Sequence, residues 1–148
     1  LDWVKANLPP HQGLQHFLAA LNKLYAREPA FDQVDFHGAG FDWIDPSGAE
    51  TSVVAFQRKA RDPRVALVFV FNFADVPRPH YRIGVPYPVE YRELLSSDAR
   101  EFGGSGLTLP GGKAQAEEYS SHGFPFSLVL DLPPLGGVVL KPEPPKLG

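Results

Sequence analysis

The longest apolar stretch of the chain runs from Val65 to Phe71 and reads Val-Ala-Leu-Val-Phe-Val-Phe. A strand with one face in water alternates apolar and polar side chains, whereas a strand covered on both faces is apolar at every position. Seven residues are also far fewer than the roughly 20 that cross a bilayer as a helix. The stretch therefore predicts a buried central strand, with other parts of the chain packed on both of its faces.

Shorter strands are predicted around this central strand. From Ala30 onward, apolar residues recur with a period of two, and turn residues appear about every ten positions. The chain contains 14 Gly and 16 Pro among 148 residues, which suits many turns between short strands. The predicted strands cover residues 52–59, 65–72, 81–85, 89–95, 114–119, 126–132 and 137–141. This pattern predicts a mainly β fold, either an antiparallel sandwich or a barrel.

The segment before Ala30 has a different period. Its apolar residues recur at the i, i+3, i+4, i+7 spacing of one helix face. They are Leu14, Phe17, Leu18, Leu21, Leu24 and Tyr25. Because a proline forces the preceding residue out of the helical conformation, we expect a helix from about Pro10 to Arg27 that stops before Pro29. The change of period near Pro29 predicts a domain boundary there.

The charge balance excludes two classes of partner. The chain has 14 Lys and Arg against 17 Asp and Glu, a net charge of −3 with neutral His. This mildly acidic balance provides no basic stripe for a polyanion, so neither nucleic acid nor a membrane is expected as a partner. No stretch has the pattern of a secretory signal.

The chain contains no Cys. Disulfides, thiolate nucleophiles and cysteine-based zinc sites are therefore excluded. The same composition is compatible with a reducing compartment, and we expect a cytoplasmic protein.

Carboxylate pairs are the first candidates for catalysis. Hydrolysis or transfer of a glycoside needs a pair of carboxylates, one on each side of the glycosidic bond that is cleaved. The candidate pairs are Asp32 with Asp35 and Glu117 with Glu118. Asp32 and Asp35 follow the predicted helix, where Asp favours turns. Glu117 and Glu118 are adjacent in a predicted strand and would point to opposite faces. We expect neither pair to be catalytic.

Histidines are the candidates for a metal site. Asp35 lies two residues before one of them, on the same predicted strand face, but no third ligand follows at a spacing typical of zinc. We therefore expect no metal site and no cofactor. The histidines are His11, His16, His37, His80 and His122.

Ser105 is the remaining candidate nucleophile, within the run Gly103-Gly104-Ser105-Gly106. This run lacks the strand–turn–helix context of a nucleophile elbow and the Lys-Ser or Lys-Thr of a phosphate loop. We expect a loop that needs positive φ angles, which glycine adopts at little cost.

Aromatic side chains are the candidates for ligand binding. Sugars stack their apolar C–H faces on such rings, aided by hydrogen bonds from neighbouring polar groups. Tyr81 and Tyr91 occupy alternating strand positions and are expected in the core, and Tyr119 is a weaker candidate than Trp43 or Tyr87. We therefore predict Trp43 and Tyr87 as substrate-binding residues for a glycan.

The chain resembles the C-terminal end of bacterial 1,4-α-glucan (glycogen) branching enzymes of the α-amylase superfamily. The matching stretches keep their order and cover almost the whole chain. They are residues 1–3 (Leu-Asp-Trp), 10–15 (Pro-His-Gln-Gly-Leu-Gln), 21–25 (Leu-Asn-Lys-Leu-Tyr), 29–30, 40–44 (Gly-Phe-Asp-Trp-Ile), 52–58, 72–73, 81–86 (Tyr-Arg-Ile-Gly-Val-Pro), 103–106 and 132–135.

The resemblance implies an enzyme in which a (β/α)₈ barrel is followed by an all-β C-terminal domain. Residues 1–29 would be the terminal helical segment of that barrel, and residues 30–148 an antiparallel β-sandwich. The catalytic carboxylates of such enzymes lie on barrel strands, all of which would precede Leu1, so no catalytic residue carries over.

The same resemblance implies a function for the parent enzyme. It would cleave an α-1,4 glucan and transfer the chain to a 6-hydroxyl, forming α-1,6 branches in glycogen biosynthesis. This chain would support the barrel, with the barrel and an α-glucan as its partners, and would itself be inactive. Two alternatives are a self-sufficient glycan-binding β-sandwich module and the accessory domain of another α-amylase-type enzyme.

Overall fold

Eight strands and two α-helices form within residues 3–144, the part of the chain that this computed structural model describes. The helices are α1 (Pro9–Arg27) and α2 (Gly48–Thr51). The strands are β1 (Phe41–Asp45), β2 (Val53–Lys59), β3 (Ala66–Asn72), β4 (Arg78–Val85), β5 (Glu90–Ser96), β6 (Lys113–Gln115), β7 (Phe126–Leu132) and β8 (Gly136–Pro142). Single 3₁₀ turns lie at Lys5–Asn7, Pro29–Phe31, Gly38–Gly40, Arg100–Phe102 and Pro110–Gly112.

The strands form two antiparallel sheets. Six of them pair in the order β1-β2-β3-β8-β5-β6, and β4 pairs with β7 in a two-stranded ribbon. The central pairing of β2 with β3 runs without interruption from Val53 opposite Asn72 to Lys59 opposite Ala66. The ribbon covers one face of the larger sheet, which confirms the antiparallel sandwich.

Strand β3 is buried on both faces. Val68 and Val70 lie in the core between the six-stranded sheet and the ribbon. Leu67 and Phe69 point the other way, into a second cluster under α1. The continuous apolar run therefore has the physical cause that its sequence predicts, since two different layers cover the strand.

Helix α1 begins one residue earlier than predicted and ends where predicted. Pro29 leaves Glu28 extended, with φ −95° and ψ 116°, so the helix stops at Arg27. Phe17 and Leu21 pack against the second cluster, whereas other apolar side chains of the helix remain exposed to solvent. Among the described residues, no helix combines the length and the apolar character needed to cross a membrane.

Strand β1 was not predicted from the sequence. Its residues include two aspartates, which are disfavoured in strands, and Pro46 follows directly. The strand nevertheless pairs with β2, and Gln57 Nε2 donates a hydrogen bond to Asp42 Oδ2 at 2.9 Å. Pairing with a strong neighbouring strand therefore overrides a weak local propensity.

The predicted strand at residues 114–119 is shorter than expected. Strand β6 stops at Gln115, and Glu117 forms only an isolated bridge with Ser127 of the ribbon. The prediction that Glu117 and Glu118 alternate across one strand was therefore wrong. The chain leaves the large sheet here in order to reach the ribbon.

Helix α1 approaches the Arg100–Phe102 turn so closely that Gly13 leaves no room for a side chain. A Cβ at this position would lie 2.4 Å from the carbonyl oxygen of Phe102, and the Phe17 and Phe102 rings also meet, at 5.4 Å. Gly13→Ala is expected to lower the free energy of unfolding by about 1–3 kcal/mol, although Ala is the better helix former by about 1 kcal/mol. Thermal unfolding followed by circular dichroism measures the change. Gly38→Ala is the control, because a Cβ there meets nothing within 4 Å; a rise in Tm for Gly13→Ala would contradict the close contact.

Candidate functional site

Trp43 lies in β1, at the edge of the six-stranded sheet, and it is 54% exposed. It pairs across the strands with Phe56, which places it on the face of the sheet that carries α1. Its ring centroid lies 5.1 Å from that of Phe41 and 6.1 Å from that of Phe56, both nearly perpendicular. These contacts fix the orientation of the indole while about half of it remains open to a ligand or a partner.

A row of aromatic rings continues from Trp43 across the sheet. Phe56 stacks on Phe69 with centroids 4.9 Å apart, Phe69 lies 6.5 Å from Phe71, and Phe71 lies 6.1 Å from Phe73. Helix α1 covers the middle of this row and leaves Trp43 and Phe73 exposed at its two ends. The strand register places Trp43, Phe56 and Phe69 side by side on β1, β2 and β3. The alternation of side chains along β3 adds Phe71 on the same face, and Phe73 follows directly after the strand.

An apolar groove of about 360 Å³ opens between α1 and the sheet. Phe17 and Leu21 of the helix line one side, and Phe71, Phe73 and Leu135 are among the residues that line the other. We define the helix-side apolar surface as this groove together with the exposed apolar side chains of α1 and of the end of the aromatic row that lines the groove. Those side chains are Leu14, Leu18 and Tyr25 of α1, and Phe73.

Tyr87 lies between Pro86 and Pro88 in the loop that joins β4 to β5, and it is half-buried. This loop enters the sheet at β5, which is four strand positions away from the β1 strand of Trp43. At about 4.8 Å per strand position, the two strands are roughly 19 Å apart. The structure therefore does not bring Trp43 and Tyr87 together around one sugar ring.

The two tyrosines predicted for the core do lie inside the sandwich. Tyr91 is fully buried, and burial raises the pKa of its hydroxyl. Tyr81 packs on the same core and points its hydroxyl towards Asp45.

Asp45 is the centre of a buried polar network that the sequence did not reveal. It is only 1% exposed, and its Oδ1 accepts hydrogen bonds from the backbone N–H of Ser47 at 3.0 Å and from the Ser47 hydroxyl. Its Oδ2 accepts a hydrogen bond from the Tyr81 hydroxyl at 2.7 Å and lies 3.4 Å from His122 Nε2.

Burial acts to raise the pKa of Asp45, but the hydrogen bonds from Ser47 and Tyr81 outweigh it and hold that pKa below its ordinary value. The sequence Asp45-Pro46-Ser47 is typical of a turn. Its partners Tyr81 and His122 lie 36 and 77 residues away, and no local pattern predicts these contacts.

His122 links this network to strand β4. Its Nδ1 accepts a hydrogen bond from the backbone N–H of Gly84 at 3.2 Å, and its Nε2 faces Asp45. The imidazole therefore joins the loop before β7 to strands β1 and β4. Between residues 3 and 144, no group of three or more His, Cys, Asp or Glu side chains could hold a metal ion.

Two of the four candidate carboxylates, Asp35 and Glu117, form ion pairs. Asp35 forms an ion pair with Arg58 at 2.5 Å in the connection before β1, so the prediction that it shares a strand face with His37 was wrong. Glu117 pairs with Arg82 at 2.6 Å, whereas Asp32 is exposed.

Ser105 belongs to a turn built on Asp98. The carboxylate of Asp98 accepts hydrogen bonds from the Ser105 hydroxyl at 2.5 Å and from the backbone N–H groups of Ser105 and Leu107. Gly103 and Gly106 have φ angles of 87° and 90°, which confirms the expected positive φ. The Ser105 hydroxyl is therefore used to close a loop.

The comparison with known proteins agrees with this architecture. The family model described as alpha amylase, C-terminal all-beta domain, matches residues 43–143, a range that includes all of β2 to β8 and most of β1. The chain is 49% identical to the 1,4-alpha-glucan branching enzyme GlgB of Synechocystis sp. over 141 residues, which is 95% of this chain and 18% of that enzyme. It is 45% identical to the GlgB of Rubrobacter xylanophilus over 144 residues, which is 97% of this chain and 20% of that enzyme.

These relatives are much longer than the chain. It spans about a fifth of the length of the curated relatives it matches. The family model covers more than two thirds of the residues of the chain, and the fold is the all-β class that the model describes. The chain therefore belongs to the family of alpha-amylase C-terminal all-beta domains.

Proposed function

We propose that the chain is the C-terminal accessory domain of a 1,4-alpha-glucan branching enzyme. The parent enzyme would cleave an α-1,4 glucan and transfer the released chain to a glucose 6-hydroxyl, which forms an α-1,6 branch. The observation that carries the proposal is 45–49% identity to branching enzymes over 95–97% of this chain. Asp45, Asp98 and Glu117 are held in structural contacts, which supports an accessory role for the domain. In this proposal the domain supports the catalytic barrel, and the reacting groups would belong to the barrel.

The helix-side apolar surface is the face that we assign to the barrel. Single exposed apolar residues are ordinary, but a contiguous apolar patch marks an interaction site in soluble proteins. Here Leu14 and Leu18 are exposed on α1 beside the apolar groove, while Phe17 and Leu21 hold the helix on the sheet. The assignment of residues 1–29 to the barrel itself remains a prediction.

Trp43 and Tyr87 are the residues that we assign to α-glucan. The half-exposed indole of Trp43 is oriented by Phe41 and Phe56, so stacking of a sugar ring would cost little side-chain entropy. Tyr87 lies between two prolines, which limits the mobility of its loop in the same way. Since the two rings are far apart, they would contact different sugar units.

A chimera tests the accessory role. The aligned 141-residue segment of Synechocystis GlgB is replaced by this chain, and branching of amylose is followed by the loss of iodine absorbance. We expect the chimera to keep activity within about tenfold of the parent, a difference of roughly 1.4 kcal/mol. The parent enzyme truncated before the segment is the negative control. A chimera with the parent's Tm and no branching activity would overturn the proposal.

Variants of the chimera test the two surfaces separately. Leu14→Asp is expected to lower Tm and kcat together, because it places a charge in the barrel interface. Val76→Asp is the matched control, since Val76 is also exposed but lies in the loop before β4. Trp43→Ala is expected to raise KM for amylose with Tm and kcat kept. Loss of Tm for Trp43→Ala would instead assign that residue to the barrel interface.

A further inference from the structure

The outer face of the ribbon carries an ordered polar and aromatic cluster. Ile83 of β4 packs into the core, so the neighbouring Arg82 points to the opposite face. The guanidinium carbon of Arg82 lies 4.5 Å from the centroid of the Tyr119 ring. Arg82 Nη1 donates hydrogen bonds to Glu117 Oε2 at 2.6 Å and to Ser127 Oγ at 2.7 Å. One cation therefore joins a carboxylate, a hydroxyl and a ring.

Tyr119 is held in place although it is 60% exposed. A cation over the face of an exposed ring contributes about 0.5–1 kcal/mol, which restrains the ring. The backbone N–H of Tyr119 also donates a hydrogen bond to the carbonyl of Glu117 at 2.8 Å. Because Arg82 covers one face only, the ring keeps a large solvent-accessible area.

The loop that follows Tyr119 is also rigid. Ser121 and Phe124 exchange two backbone hydrogen bonds, at 3.0 and 2.9 Å, around a two-residue turn. The turn residues His122 and Gly123 have φ angles of 51° and 79°, as a type I′ hairpin requires. The contacts of His122 with Asp45 and Gly84 then fix this turn to the sandwich. An open concavity of about 450 Å³ lies along residues 120–125, directly after Tyr119 in the chain.

This arrangement fits the chemistry of a glucose unit. The ring of a sugar offers an apolar C–H face for stacking on tyrosine and hydroxyl groups that both donate and accept hydrogen bonds. A carboxylate such as Glu117 accepts from hydroxyls, and a guanidinium has five N–H donors, so Arg82 can donate to a hydroxyl as well as to its present partners. We propose that Tyr119, Arg82 and Glu117 form an α-glucan subsite on the outer face of the ribbon. This inference rests on the proposed function, which supplies the substrate class.

The subsite is separate from Trp43. Trp43 lies on the helix side of the six-stranded sheet, whereas Arg82 and Tyr119 lie on the far side of the ribbon. The core between the two sheets therefore separates the two aromatic sites, and two stacked sheets are about 10 Å apart. Two different stretches of one branched glucan could occupy them at the same time.

Native electrophoresis of the 148-residue chain in gels that contain amylopectin tests the subsite. All variants are made in a background that carries both Trp43→Ala and Tyr87→Ala, so that retardation reports the ribbon side. Tyr119→Ala is expected to raise the apparent Kd about tenfold, the loss typical of an anchoring aromatic. Tyr119→Phe keeps the ring and is expected to bind as the background does. Tyr25→Ala, an exposed tyrosine on α1, is the matched control.

Each outcome of the gel decides the inference. Equal retardation of Tyr119→Ala and its background overturns the subsite, and so does a background that amylopectin does not retard. Should Tyr119→Ala lower Tm, Tyr119→Leu gives the same comparison with the apolar bulk kept and the flat ring removed. Retardation in dextran gels as well would extend the subsite to α-1,6 linkages. The chimera's branching activity is measured separately, so failure of the subsite is distinguishable from failure of the accessory role.

Discussion

Leu128→Ala is expected to lower the free energy of unfolding of the 148-residue chain by about 2–5 kcal/mol. Leu128 lies in β7 opposite Ile83, and both side chains are fully buried in the core between the two sheets. Removing three carbon atoms there loses the transfer free energy of the side chain and leaves a cavity that the surrounding strands cannot fill. Urea denaturation followed by circular dichroism measures the loss as a lower midpoint at an unchanged slope.

Leu14→Ala is the matched control for this prediction. Leu14 is 57% exposed on α1, so its truncation is expected to change the free energy of unfolding by no more than about 0.5 kcal/mol. A loss of several kcal/mol that depends on protein concentration would show that a second copy covers the helix-side apolar surface. A change below about 1 kcal/mol for Leu128→Ala would contradict the core described here.

The parts of the fold that were predictable are those whose signals are local. The apolar run at 65–71 is continuous because two layers cover β3, and the end of α1 is set by the single residue Pro29. Both signals can be read within a window of a few residues. Strand β1 has a weaker local signal, because two aspartates interrupt Phe41, Trp43 and Ile44, and pairing with β2 completes the strand.

The candidate sites were predictable only as single residues. Trp43 was identified by residue type, but the aromatic row that orients it depends on the register of three neighbouring strands. The sequence ranks Tyr119 below Trp43, because the partner that orders its ring, Arg82, is 37 positions away and no local pattern reveals that contact. Long-range pairing therefore decides which aromatic residues are ordered and exposed, and composition decides only which are candidates.

Asp45→Asn is expected to lower the free energy of unfolding by about 2–4 kcal/mol at neutral pH. The carboxylate accepts hydrogen bonds from Ser47 and Tyr81, and a hydrogen bond to a charged group contributes about 1.5–3 kcal/mol. Asparagine keeps one of the two side-chain oxygens of Asp45 and replaces the other with an NH₂ group. That NH₂ group cannot accept the hydrogen bonds that the second oxygen receives. Tyr81→Phe removes the hydrogen bonds of the Tyr81 hydroxyl with Asp45 and Thr51, keeps those from Ser47 to Asp45, and is expected to lose about half as much. Thermal and urea unfolding of the three proteins measure the series.

The same network gives a defined pH dependence. Because the folded-state pKa of Asp45 lies below its ordinary value, its stabilisation is fully present above the unfolded pKa of about 4 and is lost as the pH falls through the folded pKa. The stability difference between the wild type and Asp45→Asn should therefore be constant down to about pH 5 and shrink below about pH 4. Asp75→Asn is the control, since Asp75 is exposed in the loop before β4 and a surface substitution of this kind changes the free energy of unfolding by no more than about 0.5 kcal/mol. A difference that persists undiminished at pH 3 would show that Asp45 acts through packing and not through its charge, and His122 would then hold the ribbon loop by its hydrogen bond to Gly84 alone.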